Sequence, residues 1–104
     1  MYVAMNRFRV ARGREGDFVR IWRERDSELG GVPGFRRFRL LAGQPRDDAT
    51  RFISYTEWDS HDDFDAWTES EAFARAHGRA RLPEGTLLGH PEFEGYEVAD
   101  ERVG

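Results

Sequence analysis

The sequence of 104 residues contains no cysteine and no lysine. Without cysteine there is no disulfide framework, thiolate metal site or thiol nucleophile. The lack of lysine leaves all 16 basic residues to arginine, a compositional bias that points to no particular activity. Positive charge is not in excess either. The formal net charge is −4 and the arginines are interleaved with aspartate and glutamate, so the basic face that nucleic-acid binding requires is missing. No apolar run approaches the roughly 18 residues of a membrane helix, and nothing at the N-terminus resembles a secretory leader. A cytoplasmic protein with neither nucleic acid nor membrane as partner is expected. Glycine-rich phosphate loops, Ser-His-Asp spacings and nucleophile elbows are also absent.

What the sequence does have is aromatic side chains: eight Phe, three Tyr and three Trp, or 13% of residues. With 38% apolar residues they support a core despite 35% charge, and the length suits one domain, residues 1–104. "YVAMNRFRV" (Tyr2 to Val10) alternates as a strand, with Tyr2, Ala4, Asn6, Phe8 and Val10 on one face. In "REGDFVRIWRERDSELGG", Phe18, Ile21, Trp22 and Leu29 recur at helical spacing, and Gly30-Gly31 reads as the stop. Pro33-Gly34 makes a turn before a second strand, Phe35 to Leu41. A polar loop, "AGQPRDDAT", precedes a third strand, Arg51 to Asp59. Ser60 and Asp63 then form an N-cap and first-turn acid for a second helix, and "PEFEGYEVAD" supplies a fourth strand from Phe93 to Val98.

The order β-α-β-β-α-β predicts an α+β, ferredoxin-like split βαβ: an antiparallel sheet with two helices on one face. The central strands are apolar on both sides, Phe52 and Trp58 against Ile53 and Tyr55, and Phe38 and Leu40 against Phe35 and Leu41. Two helices cover one side only, so a homodimer, a dimeric α+β barrel, is expected on the other.

Within "FDAWTESEAFARAH", Trp67 and His77 are ten residues apart. In one unbroken helix that separation puts them roughly 80° and 15 Å apart, poor geometry for gripping a common ligand. Thr68, Ser70 and Glu71 are helix-start signals in mid-segment, and a break there lets Trp67 fold toward a second short helix. Taken singly, Trp67 reads as a core tryptophan and His77 as a hydrogen-bonded edge histidine. Asn6 is the odder residue, an amide in a central strand that needs a partner from backbone or ligand. His61 and His90 show no metal-ligand spacing with His77. The acidic pairs Asp47-Asp48 and Asp62-Asp63 suit a solvated loop and a helix first turn.

"MNRFRV" and "FISYTEWDSHDDFDAWTESEAFARAH", in this strand and helix order, resemble the antibiotic biosynthesis monooxygenase superfamily, and within it the IsdG-type haem-degrading monooxygenases. The pattern Trp58-x-Ser60 with Phe64 and Phe73 before a histidine belongs to the superfamily at large. The trio Asn6, Trp67 and His77 is the feature of the haem-degrading branch. The resemblance implies that His77 is the axial ligand of haem iron, that Asn6 hydrogen-bonds the distal oxygen ligand and that Trp67 distorts the macrocycle. Haem (iron protoporphyrin IX) is then cofactor and substrate together. An external electron donor supplies the reducing power, and no flavin or tightly bound nicotinamide is expected.

Phe8, Phe18, Ile21, Trp22, Phe64 and Phe73 are candidate pocket walls, each with core packing as the simpler reading. Arg75, Arg79 and Arg81 are candidate partners for the haem propionates, against a solvated helix face. "HGRARLPEGTLLGH" departs from the family's more polar helix continuation and lid. Two other functions stay open on the sequence: a cofactor-free monooxygenase of quinol-like aromatics, and a non-catalytic haem-binding protein.

Overall fold

The computed structural model describes residues 1–25, 27–79 and 82–104, the side chains at 78 and 79 aside. Its elements are β1 (Tyr2–Ala11), α1 (Glu15–Glu24), β2 (Phe35–Arg46), β3 (Ala49–Trp58), α2 (His61–Thr68), α3 (Glu71–Arg79) and β4 (Glu92–Glu97). The four strands form an antiparallel sheet in the order β2-β3-β1-β4, the ferredoxin-like arrangement that the sequence predicts. Among the described residues, no helix is long and apolar enough to cross a membrane.

The sequence reading places two helices on the sheet, and the structure has three. Ser60 caps α2 as expected, its Oγ accepting from Asp63 N at 3.1 Å. Gly34 makes room for that turn: its φ is +82°, and a Cβ there would collide with the Asp63 carboxylate. The second helical region then breaks after Thr68. Ser70 Oγ donates to the Trp67 carbonyl at 2.6 Å and accepts from Phe73 N at 3.1 Å, so one hydroxyl ends α2 and caps α3.

Three other expectations need correction. The first helix stops at Glu24, well before Gly30-Gly31, because Arg25 is extended at φ −74°, ψ 130°. Leu29 is buried, but from an irregular segment, where it packs with Tyr2, Trp58 and Trp67. The predicted polar loop is strand: β2 and β3 run on to a tight turn at Asp47 and Asp48, with Pro45 tolerated on the edge strand. Phe35 also lies on the other side from that expected. A register shift between Phe35 and Arg37 turns it toward Trp58, with ring centroids 5.5 Å apart.

Two aromatic clusters fill the helix side of the sheet. One gathers Tyr2, Trp58 and Trp67 with Phe64 and Phe73 at its margin; the other gathers Phe8, Val10, Phe18 and Phe52 with Trp22. Between them the packing opens.

Candidate active site

The opening is a cleft of about 730 Å³ between sheet and helices. Ala4, Asn6 and Phe8 of β1 and Ser54 and Thr56 of β3 form its floor, because β1 and β3 pair with Ala4 opposite Thr56, Asn6 opposite Ser54 and Phe8 opposite Phe52. Strand alternation sends all of these side chains to one face. Phe93 of β4, opposite Asn6, extends the floor, and Phe38 closes the far edge by stacking on Trp22 at 5.5 Å. Ile21 and Trp22 of α1 make one wall, and Phe64, Trp67, Phe73 and His77 make the other.

The break between α2 and α3 brings Trp67 and His77 to the same space. Trp67 is buried, its indole stacked over Trp58 at 6.5 Å and met edge-on by Phe73 at 5.5 Å. Phe73 in turn lies against His77, with ring centroids 3.9 Å apart. His77 Nδ1 is 3.1 Å from the Phe73 carbonyl oxygen. A carbonyl only accepts, so Nδ1 carries the proton and the neutral ring presents a bare Nε2 lone pair. Desolvation by the walls lowers the His77 pKa. The bond to Phe73 works against that shift, and the Arg25 cation adds to it. The site therefore favours the neutral, ligating imidazole.

Asn6 lines the floor, and its carboxamide finds no hydrogen-bonding partner among the described residues. Of the predicted walls, Phe8, Ile21, Trp22, Phe64 and Phe73 all line the cleft, and Phe18 does not. It is fully buried between α1 and the sheet, packing on Phe8 at 5.3 Å and Phe52 at 5.0 Å, because α1 lays it directly on the strands.

The arginines sort differently from the prediction. Arg75 is engaged elsewhere, its Nη2 2.9 Å from the Glu28 carboxylate, with Glu71 nearby. The Arg79 side chain and Arg81 lie outside the described residues. Arg25 lines the cleft instead, its guanidinium 4.5 Å over the Trp22 ring and its Nε buried with no hydrogen-bond partner. Burial lowers its pKa, yet a guanidinium stays charged at any physiological pH. Sequence reasoning missed Arg25 because nothing local separates it from fifteen other arginines. It missed Ser54 too, although the β1–β3 register that exposes it was recoverable by pairing the two alternating strands. Leu82, Leu87 and Pro91 complete the rim from the segment before β4, which bonds to the end of β1 through Ala11 N to Thr86 O and Leu88 N to Arg9 O, both 2.8 Å.

The family model for antibiotic biosynthesis monooxygenase matches residues 1–79. A heme-degrading monooxygenase of Halalkalibacterium halodurans is 30% identical over 101 residues, which are 94% of this chain and 82% of the relative. A mycobilin-producing heme oxygenase of Mycobacterium tuberculosis is 29% identical over 92 residues, 88% of this chain and 86% of that one. Among solved structures, the heme-degrader MhuD of Mycobacterium tuberculosis, with two hemes bound in its active site, is 26% identical with a TM-score of 0.76 across 100% of both chains. With its family model matched over most of its length and the fold described above, the chain belongs to the antibiotic biosynthesis monooxygenase family.

Proposed function

We propose that this protein is a haem-degrading monooxygenase whose cleft takes haem as substrate, with His77 on the iron. One observation carries the reading: in an apolar cleft, His77 is locked through Nδ1 to the Phe73 carbonyl and offers a bare Nε2. That is the donor arrangement of a proximal ligand, since the second-shell acceptor fixes tautomer and ring direction. The rest of the cleft suits a flat apolar disc with an acidic edge. Its walls are aromatic, its volume falls within the usual range for small-molecule sites, and Arg25, whose Nε has no hydrogen-bond partner among the described residues, is a cation on its lining suited to a propionate carboxylate.

Haem, once bound, supplies the iron that activates dioxygen with electrons from an external reductant, and also the ring that is opened with release of iron. The protein's part is to hold and direct. Asn6 offers a carboxamide that donates a hydrogen bond without titrating, on the sheet side of the cleft. Trp67 is wedged between Trp58 and Phe73 and cannot yield, so it presses on one region of a flat ligand. The aromatic walls exclude bulk water from the reacting edge. The open side of the sheet presents Met5, Ile53, Leu41 and Tyr55, and a second copy of the chain covers it in the working homodimer.

The test is a hemin titration followed in the Soret region, with ascorbate then added under air. Saturation near one haem per chain, followed by bleaching and iron release, is the expected result. Saturation without bleaching makes the protein a carrier and removes the catalytic half of the proposal. Failure to saturate overturns it and directs attention to quinol substrates in the same cleft.

A further inference from the structure

The floor of the cleft holds a second polar group that no role has yet claimed. Ser54 stands directly across from Asn6 on the neighbouring strand, and directly opposed residues on one face lie roughly 5 Å apart at Cβ. Its neighbours on that face are apolar or already engaged. Phe52 is core, and Thr56 accepts from Trp58 Nε1 at 2.9 Å while donating to the Ala4 carbonyl at 3.4 Å. Ser54 is different: it is 7% exposed, lines the cleft, and forms no side-chain hydrogen bond among the described residues. Serine in the middle of a strand packs poorly. The Ser54 hydroxyl is not sealed from the cleft, so a partner can reach it from there.

We infer that Ser54 is a second hydrogen-bonding residue beside Asn6, and that together they would grip one small polar molecule at the floor of the cleft when haem is bound. The inference rests on the haem reading above. The two side chains are not bonded to each other here, and a hydroxyl rotates freely, so Ser54 and Asn6 can each direct a donor at the small molecule. Two convergent donors also restrict that molecule's direction, which one donor on a flexible amide does not.

Cyanide, a diatomic acceptor that binds ferric haem on its open side, is the probe. Hemin-loaded wild type, Ser54→Ala and Ser54→Thr are titrated with it. Ser54→Ala is expected to bind hemin as wild type does but cyanide about three- to tenfold more weakly, the value of one lost hydrogen bond, and Ser54→Thr to restore most of the loss. A haem-free readout accompanies it. Asn6 is the sole asparagine and Gln44 the sole glutamine, so a nitrogen-proton NMR spectrum holds two carboxamide pairs. Ser54→Ala should shift the Asn6 pair and leave that of Gln44 in place.

Unchanged cyanide affinity in Ser54→Ala overturns the inference with the haem reading intact. It does so even if the Asn6 pair shifts, for Ser54 is then only a neighbour. A wild-type protein that takes up no hemin overturns both.

Discussion

The two faces of the sheet treat polar groups in opposite ways. On the open face the charges answer one another. Arg7 meets Glu92 at 2.7 Å and Glu94 at 2.8 Å, while Glu57 accepts from the Tyr55 hydroxyl at 2.7 Å and lies between Arg37 and Arg39. On the cleft face the Asn6 carboxamide, the Ser54 hydroxyl and the Arg25 Nε all lack partners among the described residues, and His77 Nε2 is left bare by the bond at Nδ1. An unmet buried polar group costs about 1–3 kcal/mol, and the cleft face keeps one, the Arg25 Nε, beside polar groups that it leaves open to the cleft. On the open face the charges are matched within the chain, although the buried Arg7 Nε meets Glu94 as an ion pair without a well-directed hydrogen bond. On the proposed reading, haem supplies the cleft face with the partners that the chain itself does not.

Removing the most demanding of these groups should have the largest effect. His77→Ala is expected to abolish the ligation spectrum of bound hemin and to weaken binding by more than about a hundredfold, since changes one shell further from a metal already cost 10- to 100-fold. A wild-type Soret spectrum in this variant would show that the imidazole is not the ligand. Asn6→Ala comes next. Hemin binding should stay within about threefold of wild type while turnover with ascorbate falls about a hundredfold, the typical loss when one preorganised donor is removed. Equal losses in binding and turnover would instead make Asn6 a general contact.

Arg25→Gln should weaken hemin binding about tenfold by removing one charge-assisted contact. It also sharpens the electrostatic side of the comparison. The pKa of His77 is lowered first by desolvation and further by the Arg25 cation, so a proton competes with iron for Nε2 only at pH below the ordinary value of 6.5. Ligation in the wild-type protein should therefore persist as pH falls through 6.5 and give way below it. In Arg25→Gln, the midpoint should move up, because the repelling cation is gone. The haem-free protein carries the matching stability signature. Unfolded His77 takes up its proton more readily than folded His77, so stability falls on acidification below 6.5 and levels off beneath the folded pKa. A ligation midpoint above 6.5 would contradict the burial of the site.

Much of this arrangement is legible in the sequence, and the exceptions have physical causes. Strict alternation in β1 and β3 sets the sheet and its inner face. Ser60 and Ser70 mark helix starts because a short hydroxyl side chain at those positions satisfies backbone donors that otherwise go unmet. The trio Asn6, Trp67 and His77 does line one cleft, brought there by the break that Thr68 and Ser70 suggest. The end of α1 was not legible, since "RERDSEL" continues a helical pattern and only tertiary packing pulls Arg25 and Leu29 out of it. Phe35 was assigned to the wrong side because a bulge cannot be read from alternation. Phe18 and Ile21 carry the same helical signal, and only the way α1 sits on the sheet decides that one is buried between helix and strands and the other lines the cleft.

The smallest effects should come from the face that is already satisfied. Glu57→Gln keeps the shape of the side chain and removes its charge, leaving Arg37 and Arg39 to solvent, where their side chains are already 53% and 51% exposed. Loosely held surface pairs contribute about 0–1 kcal/mol, so the chain should remain folded with hemin affinity and bleaching rate at wild-type values. If the proposed homodimer forms on this face, its self-association should weaken instead, read by sedimentation across a dilution series, because a charge network at such an interface fixes register. If hemin affinity falls as far as in Arg25→Gln, the two faces are coupled through β3. The division between a complete surface and an incomplete one would then have to give way to a dimer that shapes the cleft from behind.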